Sequence, residues 1–100
     1  MQVEMIIPHQ DNDGSDNAAL IEDAIRAMCV SFGGATVYDA KGFWVNNEGR
    51  LYEDTVAVIK SAAKDDESAE AVRALARRVL KLTDQEAVFI SVNGQAEIIE

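Results

Sequence analysis

Along Gln2–Ile7 the residues Val3, Met5 and Ile7 alternate with Gln2, Glu4 and Ile6, the period of a strand with one face in a core, and Pro8 removes the amide donor that would extend it. Ile6 falls on the polar face. From Asp16 or Asn17 to about Ser31 the period becomes three and four. Leu20, Ile21, Ala24, Ile25, Met28, Cys29 and Phe32 then form one stripe, which predicts a helix stopped by left-handed backbone at Gly33-Gly34. Two runs rich in β-branched and aromatic residues follow, Ala35–Tyr38 with Phe43–Val45 and then Leu51–Ile59. Asn46-Asn47-Glu48-Gly49 between them has the chemistry of a tight connection, so a long hairpin is predicted, with a bulge or kink at Gly42. A second helix is predicted from Glu67 or Ser68 to Leu82 on the stripe Val72, Leu75, Ala76, Val79 and Leu80. Its acids (Asp65, Asp66, Glu67, Glu70) precede its bases (Arg73, Arg77, Arg78, Lys81), the order that suits the helix dipole. Ala87–Val92 reads as a further strand. Asn93-Gly94 is either a two-residue hairpin turn into a fifth strand at Gln95–Ile99 or a bulge in one long strand, and the hairpin is preferred.

The order strand, helix, strand, strand, helix, strand, with the extra terminal strand, predicts one α+β domain over residues 1–100. The arrangement is the ferredoxin-like split βαβ sandwich (βαββαβ), an antiparallel sheet with both helices on one face. Its strands do not alternate cleanly. Ile6, Ile59 and Phe89 are expected on the sheet face away from the helices, a patch that a homodimer would cover.

Composition narrows the classes of partner. Eighteen acidic against nine basic residues give a formal charge of -9, which repels nucleic-acid phosphates and argues against direct nucleic-acid binding. No apolar run is long enough to span a bilayer and no basic leader follows Met1, so a cytoplasmic protein without a membrane partner is expected. Cys29 is the single cysteine, which excludes an intrachain disulfide; on its apolar stripe it reads as a buried, inert side chain.

Candidate chemistry is sparse. Asp11, Asp13, Ser15 and Asn17 sit at alternate positions as in a calcium loop, with Glu22 where a closing ligand belongs. The turning glycine should fall at Asp16 and not at Gly14, so the segment reads as a connection that caps the first helix, and no metal is expected. No cofactor motif is present, and His9, the single histidine, has no cysteine beside it to activate. If a ligand binds, the polar and aromatic candidates are His9, Tyr38, Trp44, Tyr52 and Glu53.

The run Phe32-Gly33-Gly34-Ala35-Thr36-Val37-Tyr38-Asp39-Ala40-Lys41-Gly42-Phe43-Trp44, followed by Gly49 and Glu53, resembles a family of short uncharacterised bacterial proteins, a domain of unknown function. The resemblance covers about residues 32–53 and implies a ferredoxin-like fold and no activity. In size and acidity the chain is also similar to phage anti-defence inhibitors of the anti-CRISPR type. The reading these features favour is a non-enzymatic acidic protein that works by protein–protein contact, as a homodimer. The alternatives are an acidic inhibitor or nucleic-acid mimic, and a small ligand-binding protein or enzyme of the dimeric α+β-barrel kind.

Overall fold

The computed structural model describes residues 1–100. Its elements are β1 (Gln2–Pro8), α1 (Ala18–Phe32), β2 (Thr36–Val45), β3 (Leu51–Ala62), α2 (Asp66–Leu82), β4 (Val88–Val92) and β5 (Gln95–Ile99). All neighbours pair antiparallel in one sheet of order β2-β3-β1-β4-β5, the split βαβ arrangement with β5 added beside β4.

Alternation in the central strands decides which residues meet the helices. Val3, Met5 and Ile7 of β1 are fully buried, and their partners Ser61, Ile59 and Ala57 of β3 and Val92 and Ile90 of β4 share that face. Against it pack Ile21, Ala24 and Met28 of α1 and Val72, Ala76 and Val79 of α2, which closes one apolar core. A side chain of this size contributes about 1.5–3 kcal/mol on full burial, so the core stripe dominates the stability. Ile59 therefore belongs to the core, at 0% exposure, and not to the outer patch. Val58, one residue earlier, takes that outer place, because successive strand residues point to opposite faces.

Local chemistry closes the elements. Gly33 ends α1 at φ 86°, and its amide donates to the Cys29 carbonyl. Asp65 caps α2 by accepting from the Ser68 amide at 2.7 Å. Asn93 and Gly94, at φ 52° and 80°, form the two-residue turn into β5, which settles the hairpin against the long bulged strand. Gly42 makes no bulge: it pairs in register with Asp54, and a Cβ there would lie 3.5 Å from Val56 Cγ1, so the residue sits flat in a continuous ladder. Cys29 is exposed, not buried, because the face of α1 that enters the core is the Ile21–Ala24–Met28 line.

Candidate ligand groove

On the sheet face away from the helices the register lines up two rows. Tyr38, Val58, Ile6, Phe89 and Ile98 run across all five strands as an apolar band, while Thr36, Lys60, Glu4, Ser91 and Ala96 form a polar row beside it. The polar row leads into an open groove of about 770 Å³ where α1 turns into β2. A volume of that order suits a nucleoside-sized ligand.

The groove exists because the chain there has no side chains to fill it. Gly33 and Gly34 face open space, with nothing within 4 Å of a notional Cβ. The buried Ser61 hydroxyl donates to the Gly34 carbonyl at 2.7 Å and so ties the turn to β3. Gln2, Phe32, Thr36 and Lys60 complete the wall.

Lys60 is the charged centre of this wall. Its Nζ lies 3.5 Å from Glu4 Oε1 and 5.4 Å from the Tyr38 ring centroid. Tyr38, and then Glu4, hold the ammonium above its ordinary pKa. A Lys–Glu pair side by side offers an α-amino acid the two charges complementary to its own carboxylate and ammonium.

The five residues expected to line a pocket do not converge. Tyr38, Trp44 and Tyr52 lie on the open face, whereas Glu53 and Asp39, the partner of His9, occupy the opposite side of the β2–β3 hairpin. His9 Nε2 meets Asp39 Oδ1 at 2.7 Å, and Glu53 pairs with Lys41 at 3.1 Å. Trp44 stacks on Tyr52 at 4.3 Å between centroids and donates its indole N–H to Asp54 at 3.1 Å, near the hairpin tip and remote from the groove. Of the metal candidates, Asp11 and Asp13 gather with Asp84, not with Glu22, which pairs with Arg26 on the surface of α1. Their oxygens already accept hydrogen bonds: Asp84 from the Asn12 and Asp13 amides, Asp13 from Ser15, Asp11 from Asn17 and Gln85. The cluster is a latch between the β1–α1 loop and the segment after α2. Lys60, Glu4 and Ser61 were missed in the sequence because their juxtaposition depends on register; the legible clue was a Glu on the polar face of the first strand.

No family model matches the sequence, and no curated protein does. Two solved structures share the fold: a phage SAM lyase in complex with S-methyl-5'-thioadenosine, and a phage SAM lyase in its apo state. The first aligns with a TM-score of 0.68 at 16% identity, over 97% of this chain and 84% of that one. The second aligns with a TM-score of 0.68 at 14% identity, over 99% and 83%. At such identity the likeness is one of fold. It overturns the expectation of a non-enzymatic contact protein, which rested on the absence of a catalytic constellation and on the apolar residues of the free sheet face, because solved chains of this fold, aligned over nearly its whole length, are enzymes.

Proposed function

We propose that this chain is a lyase acting on S-adenosylmethionine, with the groove beside Lys60 as its site. The observation that carries the proposal is the match over almost the full chain to a SAM lyase that holds S-methyl-5'-thioadenosine. That nucleoside is S-adenosylmethionine without its aminobutyrate chain, so the bond broken is the one between sulfur and that chain. The substrate's own α-carboxylate attacks the γ-carbon and closes a five-membered lactone as the carbon–sulfur bond breaks, and the sulfonium sulfur takes the bonding electron pair and leaves as a neutral thioether. Such a leaving group needs no proton, and the enzyme's contribution reduces to positioning, exclusion of water and a favourable field. This accounts for an enzyme without a legible catalytic triad or metal motif.

Residues in and beside the groove suit parts of such a substrate. Lys60 on the wall suits the α-carboxylate, Glu4 next to it on the polar row suits the ammonium, and Phe32 on the wall offers aromatic surface to the adenine. A net charge of -9 favours approach of a cationic sulfonium.

Titration calorimetry with two uncleavable ligands tests the assignment. The native protein binds S-methyl-5'-thioadenosine and S-adenosylhomocysteine. Lys60→Ala weakens the second about tenfold, as loss of a charge-assisted hydrogen bond implies, and leaves the first, which has no amino-acid chain, unchanged. Absence of binding of both ligands to the folded native chain would sink the proposal.

A further inference from the structure

The β2–β3 hairpin is an arm whose outer strand, β2, is one free edge of the sheet. None of its ten residues, Thr36–Val45, is buried, and Val37 and Phe43 are 40% and 59% exposed. It pairs with β3 in one unbroken register and holds no bulge and no proline, so nothing in its backbone bars a further strand. The opposite edge, β5, is half as long and carries the inward-pointing Glu97, held by Arg73.

The hydrogen-bond phase of the hairpin fixes which groups of β2 are free. Asn46 donates to the Arg50 carbonyl and continues the β2–β3 register, so the even-numbered residues of β2 direct their amides and carbonyls at β3. Those of Val37, Asp39, Lys41 and Phe43 point outward, and no loop takes them. A second β2 laid antiparallel on this edge about a two-fold axis must therefore set outward residues opposite outward residues, which requires the axis to pass through a residue and not between two. With the axis at Ala40, Asp39 of each copy faces Lys41 of the other, Val37 faces Phe43, and Tyr38 lies over the bare backbone of Gly42. With the axis at Asp39 or Lys41, like charges oppose each other. Charge, apolar pairing and hydrogen-bond phase thus select one register. Asp39 and Lys41 already meet His9 and Glu53 within the chain, yet their side chains stay 66% and 69% exposed, with carboxylate lone pairs and ammonium protons unused. No other charge lies on β2, so this edge is neutral in a chain of charge -9.

We propose that β2 binds β2 of a second copy of this chain, antiparallel about a two-fold axis at Ala40, and joins two five-stranded sheets into one. One strand supplies both sides of the contact, which closes as a dimer. The proposal does not rest on the lyase reading.

Light scattering on the full chain tests it. Wild type should have twice the monomer mass. At the same concentration Asp39→Lys and Lys41→Asp should each be monomeric, because each sets like charges opposite one another, with circular dichroism unchanged since both sites are exposed. An equimolar mixture of the two should return to twice the monomer mass, and so should the doubly exchanged chain Asp39→Lys/Lys41→Asp. Crosslinking reads the register separately. In a Cys29→Ser background, Ala40→Cys sets two thiols opposite each other at a non-hydrogen-bonded site, where Cα atoms lie about 4.5 Å apart, so mild oxidation should link the copies, whereas Gly42→Cys should leave them unlinked. A monomeric wild type overturns the proposal. So does a dimer that survives both single reversals, a mixture that stays monomeric, or Gly42→Cys linking more readily than Ala40→Cys.

Discussion

Truncating Ile59 to alanine removes the side chain at the centre of the sheet, where it is fully buried between its cross-strand partners Met5 and Val37 and beneath the helices. A buried Ile→Ala change costs about 2–5 kcal/mol through lost transfer energy and the cavity left behind. Strands on both sides leave Ile59 little room to collapse, which points to about 3–4 kcal/mol out of the roughly 5–15 kcal/mol typical of a whole domain. At about 5 °C per kcal/mol for a domain of this size, the melting temperature falls about 15–20 °C. Phe89→Ala is the control: half-exposed on the other face, Phe89 contributes about 1 kcal/mol or less. Urea unfolding followed by circular dichroism measures both, with an unchanged slope showing that only stability has moved. If Ile59→Ala costs less than about 1 kcal/mol, or Phe89→Ala costs more than Ile59→Ala, the register derived for β3 and β4 is wrong, since a slip of one residue exchanges the two faces.

Hydrogen-bond donors hold four carboxylates below their ordinary range: Asp13 by Ser15, Asp65 by the Ser68 amide, Glu70 by Arg73 and Arg77, and Glu97 by Arg73. Folded values below the ordinary 3.8–4.5 mean that their contribution is complete above that range and lost as pH falls through the folded values. The melting temperature should accordingly hold from neutrality to about pH 5 and drop below about pH 4; a protein more stable at pH 3 than at pH 5 would contradict this. Cys29, exposed on α1, should react with a thiol reagent in the native protein as fast as a model peptide does, and slow labelling that speeds up only on unfolding would show it to be covered. Calcium should leave the melting temperature unchanged, while Asp11→Ala lowers it with or without the ion, because Asp11 accepts from Asn17 and Gln85; a calcium-dependent rise abolished by Asp11→Ala would make the latch a metal site.

The fold was legible where a local signal and its period agreed. Gly33, Asn93-Gly94 and the Asn46–Gly49 turn marked element ends by backbone chemistry alone, and the stripes of both helices named their core residues, except that Cys29 is exposed and the buried Ala69 of α2 lay outside the stripe. Legibility failed where a face had to be chosen without a partner strand. In Val56–Ile59 four apolar residues run in succession and all four are buried, so alternation carried no mark of which pair met the helices. Pairing with Val3, Met5 and Ile7 decides it. The groove was hidden for the same reason. Glu4 and Lys60 are 56 positions apart and become neighbours only through the β1–β3 register, while the aromatic residues that drew notice at Trp44 and Tyr52 stack on each other at the tip of the arm. The proposed cleavage of a sulfonium would leave still less trace, because a neutral thioether departs without a triad, metal or cofactor loop.

Incubating the purified chain with S-adenosylmethionine and following nucleosides by chromatography with mass detection addresses the proposed activity most directly. The account predicts S-methyl-5'-thioadenosine formed mole for mole with the substrate lost, at a rate proportional to protein concentration. Lys60→Ala should raise KM about tenfold, as for a lost charge-assisted hydrogen bond, with the fold intact by circular dichroism. Nucleoside release no faster than in a protein-free blank, from a folded chain at micromolar concentration, would contradict it.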